Sequence, residues 1–261
     1  MDKVSIIIVT HKRYDLLRQC FRYVKSTQKE NFEIETIVVD NGSEEKVRVE
    51  VEKLCKAEGS KYLRLHENMS FSHANNLAAK ETTGNHLLLL NDDAFPINEN
   101  WLIEMLACMK RHEKAGVVGA KLLFQDGRIQ HAGVCFKEDG EPFHVLLWQD
   151  MLDPRSMKER QFQAVTFACV LIKRECWDKI DGLLEEGKAF EYWYEDIDFC
   201  IRAREAGYEI WYTPAAMIFH LCGSTSRDSF NTREKIFKHL KTRVEKWKGR
   251  VKFGDEQEHI C

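Results

Sequence analysis

The apolar residues of this chain fall into short continuous runs separated by stretches of helical period. Residues 4–9, 36–39, 62–65 and 86–90 are mostly apolar runs of strand length, the pattern of strands buried on both faces. Between them, Leu16, Leu17, Cys20, Phe21 and Val24, and then Val47, Val51, Leu54 and Cys55, recur at helical spacing, and a short helix is predicted over residues 73–81. Four alternations of strand and helix require right-handed crossovers and a parallel sheet. The polar residues that end the strands must then share one edge: Thr10-His11-Lys12-Arg13, Asp40-Asn41-Gly42-Ser43, Asn68 to Ser72, and Asn91-Asp92-Asp93.

The rhythm changes after Asp93. Residues 100–112 form an amphipathic helix through Trp101, Leu102, Met105, Leu106 and Met109. Residues 117–124 and 129–136 read as two strands joined by the hairpin signal Gln125-Asp126-Gly127-Arg128. Residues 137–162 carry no period and read as a mobile loop. A strand over 165–172 and a short helix over 174–180 follow, and a further helix starts near Glu195 and stops at Gly207, a residue suited to the helix C-terminus. Two short strands, 209–212 and 216–219, flank Pro214 and end in His220. A last helix over about residues 232–247 puts Ile236, Phe237, Leu240, Val244 and Trp247 on one stripe.

Composition narrows the classes. At 261 residues, 44% apolar and 31% charged, the chain has the make-up of a globular protein, and a net charge of −3 gives no global field for nucleic acid or membrane. Nine cysteines without a C-x-x-C pair read as reduced thiols, so the expected location is cytoplasmic. The N-terminal apolar run reads as a first strand rather than a signal peptide, and no run has the ~18 residues of a membrane span. Residues 233–252 hold nine Lys or Arg and two Glu. That stretch is either the basic face of a docking helix or a peripheral contact with an anionic membrane.

Two acidic clusters carry the candidate chemistry. Asp92-Asp93, placed at a sheet edge, repel one another unless a cation joins them, and Mg²⁺ is held by one or two carboxylates together with substrate phosphates. Asp40 at the neighbouring strand end either accepts from a base or ribose or makes an Asx turn with Asn41-Gly42. Glu195-Asp196-Ile197-Asp198 at a helix start either caps the macrodipole or, beside Tyr192, Trp193 and Tyr194, forms a sugar-stacking wall with a general base. His220 is either a satisfied strand-end residue or a third metal ligand, if its strand returns to the same edge.

In order and in kind, these residues resemble the family 2 glycosyltransferases of the GT-A fold, in their bacterial polysaccharide and rhamnosyltransferase-like branch. The resemblance runs from residue 3 to about 226. It is carried by Val4-Ser5-Ile6-Ile7-Ile8-Val9-Thr10, Ile37-Val38-Val39-Asp40-Asn41-Gly42-Ser43, Asn68 with Phe71 to Asn76, Leu89-Leu90-Asn91-Asp92-Asp93-Ala94, Asp126 to Gly133, Tyr194 to Tyr208, and His220.

The resemblance implies an α/β fold with a Rossmann-like, mostly parallel central sheet flanked by helices and a smaller antiparallel region on the acceptor side. It divides the chain into a nucleotide-sugar-binding half (1–95), an acceptor and catalytic half (96–228), and a basic helical tail (229–261). It also implies an inverting, Mn²⁺- or Mg²⁺-dependent transfer from a UDP-, dTDP- or GDP-linked sugar to a glycan or lipid-linked glycan. Thr10, His11, Arg13, Asp40, Asn41, Asn68, Phe71, Asn75 and Asp92 would then bind the nucleotide sugar, and Asp93 and His220 the metal. Asp196 would be the base with Glu195 beside it, and Trp193 and Tyr194 would meet the acceptor. The family's common metal motif is aspartate, any residue, aspartate; here Asn91-Asp92-Asp93 stands in its place.

Other classes fit less well. A nicotinamide dehydrogenase needs G-x-G-x-x-G after the first strand and a P-loop enzyme needs G-x-x-x-x-G-K-[ST]; neither is present. A non-catalytic nucleotide-sugar or carbohydrate-binding module on the same fold is the alternative that keeps these motifs.

Overall fold

A computed structural model describes residues 1–185, 194–221 and 240–255. Its first half is the expected alternation: β1 (Asp2–Thr10), α1 (Tyr14–Ser26), β2 (Phe32–Asn41), α2 (Glu45–Glu58), β3 (Lys61–Leu65), α3 (Phe71–Lys80) and β4 (His86–Asn91). All pairings among these strands are parallel, in the spatial order β4-β1-β2-β3. The chain therefore builds outward from β1 to β3 and then crosses back to the other side of β1. That reversal places a topological switch point between the carboxyl ends of β1 and β4, where open α/β sheets bind ligands.

Burial explains the apolar runs. Leu87 and Leu89 of β4 join one core layer with Ile7, Ile37 and Val39, while Leu88 and Leu90 join the opposite layer with Ile6, Ile8 and Val38. Each leucine buried in this way contributes up to about 1.5–3 kcal/mol. Register then aligns the polar ends, since Thr10 pairs with Asp40, Asp40 with Arg64, and Val9 with Asn91.

The second half extends the sheet with mixed pairing. It comprises β5 (Ala94–Pro96), α4 (Trp101–Arg111), β6 (Ala115–Leu123), β7 (Ile129–His131), β8 (Val134–Phe136), β9 (Pro142–His144), a 3₁₀ turn (Pro154–Ser156), β10 (Arg160–Phe162), β11 (Cys169–Lys173), α5 (Arg174–Lys179), α6 (Glu195–Glu205) and β12 (Glu209–His220). β11 lies antiparallel between β4 and β6, β12 runs parallel to β6, and β8 and β9 form a separate antiparallel hairpin. The mostly parallel sheet with a smaller antiparallel region is the architecture the resemblance implied.

Four expectations are corrected. The strand read over 129–136 breaks in two at Gly133, whose φ of +111° turns the chain from β6 toward β9; a side chain there would meet the Phe162 ring at 2.4 Å. The stretch 137–162 is ordered rather than a loose loop. Lys121, buried in β6, donates from Nζ to Met151 O and Ser156 Oγ, and Tyr212 OH donates to Ser156 O. The strand read over 165–172 begins only at Cys169. Finally, the two short strands around Pro214 are one strand, β12, which absorbs the proline at a register shift between Thr213 and Met217.

Residues 240–247 are helical; the remainder of the helix expected over 232–247 lies outside the described residues. Trp247 is fully buried, and its Nε1 donates to Asp198 of α6. Leu240 and Val244 pack against the same core, and Arg243 pairs with Asp198 at 3.1 Å. This stretch is therefore held to α6 through Asp198, and its Trp247 packs against Phe136 of β8 and Tyr194. Among the described residues no helix is long and apolar enough to cross a membrane.

Candidate active site

The switch point is crowded with charge. Asp92 and Asp93 follow β4 directly, and both are buried. Thr10 Oγ1, at the end of β1, donates to Asp92 Oδ2 at 2.7 Å. Arg13, just before α1, reaches Asp92 Oδ1 at 3.3 Å and Asp93 Oδ2 at 3.2 Å with one Nη. Burial pushes the Asp92 carboxyl up to about 6, against the bonds from Thr10 and Arg13 that favour its charged form.

His220 arrives from the other half of the chain. β5 pairs antiparallel with the end of β12, so that His220 lies opposite Ala94, the residue after Asp93, and Leu221 N donates to Asp93 O. Its ring is oriented by Gln130, whose Oε1 accepts from Nδ1 at 2.6 Å while its Nε2 donates to the His220 carbonyl. Asn91 Nδ2 donates to Nε2 at 3.3 Å. The ring is thus the Nδ1–H tautomer, and its unprotonated Nε2, met by Asn91 Nδ2, also lies 3.2 Å from Asp93 Oδ1.

Two acceptors at that distance repel. A divalent cation shared by both removes the repulsion, and adjacent ligands of an octahedral ion with bonds of about 2.1 Å lie about 3 Å apart. A histidine that holds a metal through one nitrogen donates its other N–H to an oxygen acceptor, the part Gln130 Oε1 takes here. The donor set fits Mn²⁺ or Mg²⁺.

The wall beyond β1 is built by β2 and the segment before α3. His11 Nδ1 donates to Asn41 O at 2.7 Å, and Lys12 N to Ser43 Oγ at 2.9 Å. Asn41 exchanges two hydrogen bonds with the backbone of Met69, which brings Asn68 and Phe71 alongside. Gly42, at φ +76°, is required here, because a Cβ would lie 2.4 Å from the Glu67 carbonyl carbon and 2.5 Å from Asn68 N. Asp40 is fully buried with its oxygens engaged by Arg64 at 2.6 Å, Tyr62 OH at 2.9 Å and Ser43 N at 3.1 Å. The Asx-type bond to Ser43 was one of the two alternatives open in the sequence. Asn75 is buried and caps Phe71 O from within α3.

Asp196 reaches the same end of the sheet through the segment before β11. Asn91 N donates to Ala168 O, and two residues earlier Thr166 gives its hydroxyl to the Asp196 carboxylate. Burial, followed by the neighbouring Glu195 charge, raises the Asp196 carboxyl to about 7. Tyr194 takes a left-handed conformation as the residue before α6, and its ring packs edge-on against Trp247 at 5.6 Å. Trp193 lies outside the described residues. Asp198, third in the acidic cluster, faces Arg243 and Trp247 and so serves the docking of the C-terminal stretch.

Sequence reading assigned no role to Gln130, Thr166, His131 or His144. Gln130 and His131 lie inside a quoted motif, but their partners are set by pairings across tens of residues that no local spacing announces.

Known proteins share this chain's sequence pattern and its fold. The sequence pattern described as Glycosyl transferase family 2 matches residues 5–146. A Sinorhizobium fredii protein described as uncharacterized, y4gI, is 39% identical over 245 residues, which is 89% of this chain and 26% of that protein. The O-antigen biosynthesis protein RfbC of Myxococcus xanthus is 32% identical over 227 residues, 84% of this chain and 17% of its own length. This chain thus spans about a quarter or less of either relative. Among solved structures, the mannosyltransferase PcManGT of Pyrobaculum calidifontis, in complex with GDP-Man and Mn²⁺, superposes with a TM-score of 0.68 at 16% identity, over 98% of this chain and 67% of that one. That likeness shows a shared fold. With more than half of its length matching the family pattern, from the first strand into the β8–β9 hairpin, the chain belongs to glycosyl transferase family 2.

Proposed function

We propose that this chain is an inverting, metal-dependent glycosyltransferase of polysaccharide biosynthesis. It would move a hexosyl or deoxyhexosyl group from a UDP-, dTDP- or GDP-linked sugar to a hydroxyl of a glycan or lipid-linked glycan. The observation that carries the reading is the pair Asp93 Oδ1 and His220 Nε2, 3.2 Å apart at the switch point with Gln130 fixing the ring. The O-antigen name of one relative and the GDP-Man and Mn²⁺ of the structural neighbour support it.

Asp93 and His220 would hold Mn²⁺ or Mg²⁺, which when bound neutralises charge on the departing diphosphate. Asp92, held by Thr10 and Arg13, turns toward the ribose. Arg13 brings a fixed positive charge beside both carboxylates, and His11, Asp40, Asn41, Asn68, Phe71 and Asn75 form the nucleoside wall. On the acceptor side, with Trp193 and Tyr194, Asp196 takes the hydroxyl proton as the acceptor oxygen bonds to the anomeric carbon. The bond from that carbon to the diphosphate oxygen breaks on the opposite face, so the centre inverts without a protein nucleophile. A carboxylate raised toward neutrality is a better base than an ordinary one, and Thr166 holds it in place.

The direct test is release of nucleoside diphosphate from nucleotide sugars with Mn²⁺. Wild type should turn over, and Asp196→Asn should lose about 10²–10⁴-fold in rate while still binding nucleoside diphosphate. Equal product from both proteins removes Asp196 as the base. Binding without turnover in wild type favours a non-catalytic module.

A further inference from the structure

The mechanism above leaves a histidine pair unused. His131, fully buried at the end of β7, and His144, half-buried at the end of β9, face each other through Nδ1 atoms 2.9 Å apart, with rings at 85°. The far side of His131 decides which nitrogen carries each proton. Thr166 donates its backbone N–H to His131 Nε2 at 3.5 Å. A neutral imidazole has one N–H and one lone pair, so the His131 proton is on Nδ1 and donates to His144 Nδ1. The His144 proton is then on Nε2.

A charged ring at either position would turn one N–H against another. Burial, with the His220 ring nearby, also disfavours charging: the His131 pKa lies well below the ordinary histidine value, and that of His144 falls to about 4. The pair is therefore a neutral unit with one outward N–H. His144 is half-buried, and its ring is hydrogen-bonded among the described residues through Nδ1, which leaves Nε2 to meet a ligand.

The position of the pair suggests what this donor meets. His220, on the metal side, lies within electrostatic reach of both rings. Glu141, just before β9, acts on Tyr194, which stands directly before Glu195 and Asp196 on the acceptor side. Thr166 itself joins the two sides, with its N–H on His131 and its hydroxyl on Asp196. Between the diphosphate and the acceptor base lies the sugar in transit.

We propose that His144 is a sugar-binding residue, its Nε2–H locked by His131 and Thr166 and donating to an oxygen of the transferred sugar. This rests on the glycosyl-transfer reading. The occupant is an oxygen acceptor, since the nitrogen presents a proton and no lone pair.

Two measurements on the full chain test it. Two-bond ¹H–¹⁵N spectra of ¹⁵N-histidine protein, assigned with His131→Asn and His144→Gln, should show His131 as the Nδ1–H tautomer and His144 as the Nε2–H tautomer. Both should stay unchanged from about pH 8 to about pH 5.5. A charged ring in that range, or the His144 proton on Nδ1, overturns the lock.

Calorimetry with Mn²⁺ then compares UDP with UDP-glucose, dTDP with dTDP-glucose and GDP with GDP-mannose. His144→Phe should weaken a nucleotide sugar about five- to tenfold relative to its free nucleoside diphosphate, and His144→Gln, which keeps a donor near Nε2, should restore most of that loss. Equal weakening of sugar and diphosphate, or no weakening of either, overturns the sugar contact. Absence of nucleoside diphosphate binding by wild type overturns the transferase reading and the sugar contact with it, while the spectra decide the tautomers in either case.

Discussion

At the scale of single residues, the site separates by what each carboxylate touches. Asp93 lies beside an unprotonated histidine nitrogen, Asp92 is tied to Thr10 and Arg13, and Asp196 is held by Thr166 beside Glu195. The last arrangement has a pH consequence. Burial, then the Glu195 charge, raises Asp196 to about 7, whereas an unperturbed aspartate titrates near 3.8. A general base works only when ionised, so turnover should fall as pH drops through about 7 rather than through the ordinary carboxylate range. Thr166 donates to the ionised form and holds the value down. Thr166→Val should therefore move the acid limb of the pH–rate profile upward, and Thr166→Ser should leave it in place; an unmoved limb in Thr166→Val contradicts the contact.

Asp92, Asp93 and His220 were legible as candidates because polar residues ending apolar runs are visible in one dimension, and Asp196 because it stands in an acidic cluster directly after three aromatics. What was not legible is orientation. Gln130 turns His220 across 90 residues of sequence, and Asp40 is engaged by Arg64 and Tyr62 from the next strand.

At the scale of elements, continuous apolar runs with helices between them were sufficient for β1 through β4: β1, β2 and β4 carry runs buried on both faces, and the partly exposed edge strand β3 follows from the alternation. The second half was harder for a physical reason. Apart from β6 and β12 its strands are short, its pairing is mixed, and it is shaped by single backbone events: the turn at Gly133, the irregularity around Pro214, and the buried Lys121 that pins residues 151–156. None of these has a period. Gly42 shows how much such an event can weigh in the first half as well. Its positive φ and the close approach of Glu67 and Asn68 leave no room for a methyl group. Gly42→Ala should cost about 2–3 kcal/mol, read as a lower urea midpoint, and should displace the loop carrying Asn68. An unchanged midpoint would mean that the loop yields freely.

At the scale of the molecule, the two ends of the sheet do different work. The carboxyl end gathers the site; the other end is closed by a carboxylate clasp. Glu35 of β2 receives Ser5 Oγ, Thr83 N, Gly84 N and Lys3. Its burial alone would raise its pKa, but these donors outweigh that and lower it from 4.5 to about 2. A carboxylate whose pKa is lower in the folded state stabilises the fold fully above its unfolded value. That contribution is lost as pH falls from about 4.5 toward 2. Urea midpoints should therefore drop over that window, and Glu35→Gln should flatten the drop while lowering the midpoint at pH 7. A midpoint at pH 7 equal to wild type contradicts the clasp.

The C-terminal stretch also belongs to the whole. Its basic composition left two readings open, and the burial of Trp247 with Leu240 and Val244 packed behind it accounts for the apolar stripe as a docking face.

Asp93 and His220 are proposed to form a cation site that receives the diphosphate of a nucleotide sugar. The measurement that meets this proposal head-on is the thermal midpoint of wild type and Asp93→Asn with UDP, dTDP or GDP, with and without Mn²⁺. Ligand at about 100 times its Kd stabilises the native state by about 2.7 kcal/mol, a rise of roughly 5–10 °C for a chain of this size. Wild type should show that rise with at least one of the three nucleotides when Mn²⁺ is present and little without it, and Asp93→Asn should lose the Mn²⁺-dependent part. A wild-type midpoint indifferent to Mn²⁺ with all three nucleotides, or an Asp93→Asn protein that responds as wild type does, would contradict the account.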